Sequence, residues 1–113
     1  MTITIPFIPP SLNRFAGRKN DREYQAQKRE WKDLVCLLSP KQAVPFNRSI
    51  VTITYYFKDK RRRDPDNFQG KFLMDGLTAA GIIADDSFDH VELRLVGAYD
   101  SKNPRTEIEI QEV

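Results

Sequence analysis

Apolar residues at Ile3, Ile5 and Phe7 alternate with Thr2, Thr4 and Pro6, the two-residue period of a half-buried strand that Pro9-Pro10 stops. Ser11 to Lys19 reads as a loop. The period then lengthens: Tyr24, Gln27, Trp31, Leu34, Val35 and Leu38 share one helical face, with Asn20 and Glu23 in capping-box positions and Pro40 just past the end. After a loop containing Pro45, Val51, Ile53, Tyr55 and Phe57 alternate with Thr52, Thr54 and Tyr56, which predicts a strand with one buried face. Phe68, Phe72, Leu73, Leu77 and Ala80 fit a second helix of about four turns, ended by Gly81 in the left-handed position beyond its last turn. Val91, Leu93 and Leu95 form a third alternating run, and Thr106, Ile108 and Ile110 a fourth. The turn around Asp100 to Pro104 makes these two a closing hairpin.

The order β-α-β-α-β-β predicts an α+β fold: two layers, a mixed four-stranded sheet with two helices on one face. Residues 1–113 are expected to form one domain with a modest core, helped by a partner chain. No apolar stretch reaches membrane-spanning length, and the amino terminus lacks the basic start and apolar run of a secretion signal. Cys36 is the sole cysteine and falls on the apolar side of the first helix, the pattern of a buried thiol in a reducing compartment. Together these predict a soluble, cytoplasmic protein with no membrane partner.

The formal net charge is only +2, so any attraction to nucleic acid depends on where the charges lie. They cluster. Lys58, Lys60, Arg61, Arg62 and Arg63 stand with one acid, Asp59, at the carboxyl end of the second strand, immediately before Asp64-Pro65-Asp66-Asn67. A further pair, Asp85-Asp86, follows the second helix. Arginines and lysines hold phosphates, whereas converging aspartates repel one another unless a divalent cation lies between them. The combination points to a metal-dependent nuclease.

Simpler readings exist for each piece. Asp64 or Asp66 suits a helix cap, with Pro65 at a first helical position and Gln69 completing a capping box. Asp85-Asp86 suits a solvated turn. A calcium loop of the EF-hand type fails, because it needs an oxygen ligand where Phe68 stands and a glycine where Gln69 stands. One histidine and one cysteine cannot furnish a zinc site, and His90 reads as an ordinary structural or exposed residue. An aspartate-only donor set favours a hard ion, for phosphate chemistry Mg²⁺. For the acidic segments to meet, the turn after the second helix must return to the carboxyl end of the preceding strand. Trp31, Tyr24 and Phe68 fall on core faces and read as packing residues rather than base-stacking platforms.

Arg61-Arg62-Arg63-Asp64-Pro65-Asp66-Asn67, then Lys71, Asp75-Gly76-Leu77, Ala80-Gly81 and Asp85-Asp86, resemble the RusA-type Holliday junction resolvases. The opening segment Pro9-Pro10-Ser11-Leu12-Asn13-Arg14 is similar to that family's as well. The resemblance implies a homodimeric endonuclease that binds four-way DNA junctions and makes paired, symmetric nicks in recombination and repair, with Mg²⁺ as cofactor and Mn²⁺ as a substitute. It implies Asp64, Asp66 and Asp86 as catalytic metal-binding carboxylates, and Lys71 as a catalytic lysine one residue further from Asp66 than in the best-known members. Lys58, Lys60, Arg61, Arg62 and Arg63 are expected to contact DNA phosphates, with Asn13 and Arg14, and more weakly the rest of that loop including Phe15, Arg18 and Lys19, adding contacts near the branch point. Two alternatives remain at this level: a nuclease for flaps or forks, and a nucleic-acid-binding module without catalysis whose aspartates serve as caps and counterions.

Overall fold

The structure, a computed structural model, describes residues 1–15 and 21–113. Arg18, Lys19 and the expected cap Asn20 lie outside the described residues. Four strands, β1 (Thr2–Ile5), β2 (Ser49–Phe57), β3 (Val91–Tyr99) and β4 (Arg105–Glu112), join two helices, α1 (Asp21–Leu38) and α2 (Met74–Ala79), in the order β1-α1-β2-α2-β3-β4. Short 3₁₀ turns cover Leu12–Phe15 and Pro65–Asn67. The sheet is mixed, as the order of the elements implies.

Spatially the strands run β1-β4-β2-β3, with β4 antiparallel to both β1 and β2 and β3 parallel to β2. The closing hairpin is therefore not formed. Asp100 to Pro104 instead crosses the end of β2: the Asp100 N–H donates to the Phe57 carbonyl at 2.8 Å, and Asp100 Oδ1 accepts the N–H groups of Lys102 and Asn103. The physical reason lies in which strand can be central. Thr106, Ile108 and Ile110 of β4 are buried, matching a strand flanked on both sides, while most of β3 is exposed, Leu93 included.

One sheet face carries Ile3, Ile5, Val51, Ile53, Tyr55, Ile108 and Ile110 against Trp31 and Val35 of α1 and Met74 and Leu77 of α2. Alternation in β1 and β2 and the helical stripe in α1 thus converge on one core. The first strand stops at Ile5, two residues short of the alternating pattern, and Phe7 is exposed. Gly76 sits where the helices cross: a Cβ there would stand 2.6 Å from Val35 Cβ, so no larger residue permits this approach. Gly81 has φ +75°, the left-handed conformation expected of it.

The second helix is much shorter than its periodicity predicts. Residues 65–67 form a 3₁₀ turn, Phe68 leaves the helical region at φ −133° and ψ 48°, and helical bonding resumes only at the Gly70 carbonyl. The two phenylalanines explain the break. Phe68 packs against Phe57 and Tyr55 near the end of β2, whereas Phe72 packs against Phe15 and Tyr24 beneath α1. On a continuous helix residues four apart share one face, so both contacts could not be made.

Candidate nucleic-acid and metal site

The loop leaving β2 is shaped by Arg63. Its guanidinium donates to the carbonyls of Asp59 and Arg61 at 3.0 and 2.9 Å, pairs with the Asp59 carboxylate at 2.9 Å, and lies 4.3 Å from the Phe57 ring centroid. The Arg61 N–H and the Arg63 guanidinium hold the Asp59 carboxyl below its usual range. The one acid in the basic run is thus used inside the loop. Lys58, Lys60, Arg61 and Arg62 are exposed around it, Lys60 over the Tyr99 ring at 5.3 Å.

Asp64 occupies the cap position of the 3₁₀ turn, yet its side chain makes no capping bond. Among the described residues its only partner is the Arg62 Nε at 3.3 Å, an exposed pair of little energetic weight. Asp66 is exposed, and among the described residues no hydrogen bond or ion pair engages its carboxylate. The helix-cap reading of this pair is therefore absent from the structure. Beside Asp64 an apolar pocket of about 130 Å³ is walled by Tyr55, Phe57, Phe68, Leu95 and Gly97. Burial pushes the Tyr55 hydroxyl above its usual range, and it donates to the Gln69 carbonyl at 2.7 Å.

The second acidic segment is anchored elsewhere. Buried Ile82 and Ile83 bridge to Phe46, and His90 Nδ1 lies 2.7 Å from the Asn47 carbonyl, tying the turn to the chain entering the amino end of β2. The expected return to the carboxyl end of that strand is not made within one chain. Asp85 behaves as a turn residue, its carboxyl held low by the Ser87 hydroxyl and the Asp86 N–H. Asp86 instead lines an open pocket of about 270 Å³ with Lys71, Lys28, Asp75 and Leu93.

Two neighbouring patches along β3 result. Asp64 stands at the level of Leu95 to Gly97, and Asp86 with Lys71 at the level of Leu93. Among the described residues, no group of three or more histidine, cysteine, aspartate or glutamate side chains comes together in a way that could hold a metal ion. Lys71 and Asp75 do not form an i,i+4 pair; Asp75 stands 3.9 Å from Lys28. Sequence reasoning missed Lys28. Its signal was its place four residues after Tyr24, on the α1 stripe that faces the second helix.

At the amino-terminal segment, Asn13 is exposed and Arg14 pairs with Glu23 while lying over the Phe15 ring. Tyr24, Trp31 and Phe68 pack in or against the core, as their spacing implies. Cys36 is half-buried, its thiol 3.7 Å from the Gly76 carbonyl. No described helix is long and apolar enough to cross a membrane.

The family model of the endodeoxyribonuclease RusA matches residues 6–111, and the chain belongs to that family. No curated protein matches it.

Proposed function

We propose that this member of the RusA endodeoxyribonuclease family is a Mg²⁺-dependent, homodimeric nuclease that resolves Holliday junctions by paired symmetric nicks. The observation that carries the reading is the state of Asp64 and Asp66: two uncapped carboxylates, directly after a run of exposed cations, in a chain of a DNA-cutting family.

The donor chemistry suits a hard cation, because Asp64, Asp66 and Asp86 offer only oxygen and, among the described residues, neither Asp66 nor Asp86 has its carboxylate engaged by a partner. One chain does not group the three, so the fit calls for donors from two copies as well as from DNA phosphate and water. A divalent cation held there would lower the pKa of an attacking water and offset charge on the leaving oxygen. The chain's own residues supply the rest. Lys58, Lys60, Arg61 and Arg62 grip the phosphate backbone without reading bases. Lys71, with no ion pair of its own among the described residues, adds positive charge beside the phosphate as the transition state forms. A two-fold dimer presents two equivalent sites to a junction that must be cut in two equivalent strands.

The test incubates purified protein with a mobile four-way junction, with and without Mg²⁺, and resolves the products on a denaturing gel. Paired nicks that need Mg²⁺ and vanish with EDTA are expected. Asp66→Asn should abolish cleavage and keep junction binding; cleavage at the wild-type rate by that variant would sink the assignment. Flap and fork substrates run alongside separate a junction enzyme from a general branched-DNA nuclease.

A further inference from the structure

The Phe88 ring is 99% exposed, against 79% for Leu37, the next most exposed large apolar side chain. A single apolar residue at a surface is ordinary. A phenyl ring that touches almost nothing of its own chain, on a turn fixed at both ends, is not. The Ser87 carbonyl accepts the His90 and Val91 N–H groups at 3.0 Å each, and the Ser87 hydroxyl holds the Asp85 carboxyl. Before the turn the Ala84 N–H donates to the Phe46 carbonyl at 3.0 Å, and after it the Ser49 N–H donates to the His90 carbonyl at 2.9 Å. The backbone beneath Phe88 is therefore tied to the chain entering β2, and the ring is held out from it.

Phe88 borders an open groove that it shares with Arg48, Met74, Asp86, Val91 and Leu93. Arg48 is exposed and makes no ion pair among the described residues. Three groups thus face one groove: a carboxylate that the nuclease reading assigns to a cation at the scissile phosphate, a guanidinium suited to a second phosphate, and an aromatic face. We propose that Phe88 is the residue by which this nuclease reads a branch: it stacks on a base left open at the crossover of a DNA junction, within two nucleotides of the phosphate to be cut. The proposal rests on the nuclease reading of Asp86. Two residues of chain span at most about 7 Å, and successive base pairs lie about 3.4 Å apart, so a strand held at Asp86 brings a base within reach of the ring. Within a continuous duplex the faces of every base are covered by stacking; at a branch, or at a step opened by an apolar wedge, one face is free. A stacked ring therefore separates branched from linear DNA, which contacts to the phosphate backbone alone do not. A protein partner suits the turn less well, because interface centres are depleted of aspartate and Asp85, Asp86 and Asp89 all stand within three residues of the ring.

The test measures binding of the full chain to a four-way junction of fixed crossover and to linear duplex of the same sequence. Ca²⁺ replaces Mg²⁺, and the recovered DNA is checked on a denaturing gel to be uncut. Phe88→Ala should weaken junction binding about tenfold or more, the scale of one base–aromatic stack, while duplex affinity and melting temperature stay at wild type. Phe88→Trp should keep junction affinity. Single abasic residues, placed in turn within two nucleotides of the crossover, should reproduce the loss at one position for the wild type and add nothing there for Phe88→Ala, the coupling of two groups in contact. Equal losses on junction and duplex, or no abasic position coupled to Phe88, overturn the proposal. So does a Phe88→Ala chain that binds the junction as wild type does but sediments differently, which gives the ring to a protein contact. The Mg²⁺ cleavage gel of the wild type judges the nuclease reading separately: coupling without cleavage keeps the stacking and removes the cutting, and cleavage without coupling does the reverse.

Discussion

Lys28 on α1 stands 3.9 Å from the Asp75 carboxylate on α2, and this leaves Lys71, four residues before Asp75, without an ion pair among the described residues. An exposed lysine with no partner contributes little to folding. Lys71→Ala should therefore leave the melting temperature within a degree or two, on the scale of a neutral surface change, while cutting the cleavage rate about 10²-fold, the loss typical of one charge-stabilising group. Junction binding should stay near wild type. Lys28→Ala separates the two lysines: it releases Asp75 and removes the ammonium 5.7 Å from the Tyr24 ring centroid, so its effect should register in stability first. Equal rate losses for both, with equal destabilisation, would show that Lys71 is a packing residue.

The basic run should divide in the same way. Arg61 and Arg62 are exposed, whereas the Arg63 guanidinium is already spent on Asp59, two carbonyls and the Phe57 ring. Each phosphate contact contributes about 0.9 to the slope of log K against log salt. Arg61→Ala with Arg62→Ala should thus flatten that slope by about 2 and leave the melting temperature alone. Arg63→Ala should lower the melting temperature by roughly 5 °C, the scale of a lost partly desolvated cation–π contact in a domain this size, and Arg63→Lys should fail to restore it. Thermal melts and salt titrations of the same variants decide between the roles.

Elements whose buried pattern depends on local period were legible in the sequence: β2 and α1 follow from alternation and helical spacing because each rests on one continuous core face. The second helix was over-read. Phe68 and Phe72 have helical spacing, but they anchor in different parts of the core, a tertiary demand that no local pattern encodes. Strand order was hidden for a similar reason. A five-residue turn permits a hairpin, and only the competition between β3 and β4 for the central place decides against it. At the proposed site the motif nominates Asp64, Asp66 and Asp86 but not their positions: the Phe46 to Ile83 bridge sets where the last of them lies.

Acid should act through the turn that crosses β2. The Arg105 side chain, followed by the Asn103 and Lys102 N–H groups, holds the Asp100 carboxyl below its ordinary value of 3.8. A carboxyl depressed in the folded state adds stability above its unfolded value and loses it as pH falls through the folded one. Asn at position 100 keeps a side-chain oxygen for the turn and removes the charge. Asp100→Asn should therefore melt below wild type at neutral pH, and the two curves should converge as pH falls from roughly 4 toward 2. Melts across that window check the sign; a gap that widens on acidification contradicts it.

The crossing of α1 and α2 gives the sharpest stability test. A Cβ on Gly76 would meet Val35 Cβ at 2.6 Å and Cγ1 at 2.9 Å, and Val35 is fully buried. Gly76→Ala gains helix propensity of about 1 kcal/mol, so the overlap must outweigh that gain for the variant to lose stability. Overpacking of a tight core costs about 1–3 kcal/mol, which puts the net change on the destabilising side. Val35→Ala alone should also destabilise, by leaving a cavity. Combined, the two alanines relieve the Cγ1 and Cγ2 contacts at 2.9 and 3.2 Å, while alanine at 35 keeps the Cβ that stands 2.6 Å away, so the relief is partial. The double variant should then be more stable than the sum of the single losses by roughly 1 kcal/mol or more, the range of coupling between residues in contact. Urea midpoints at unchanged slope measure it. Strict additivity would mean that the helices already separate to admit the methyl group, and that Gly76 does not set their distance.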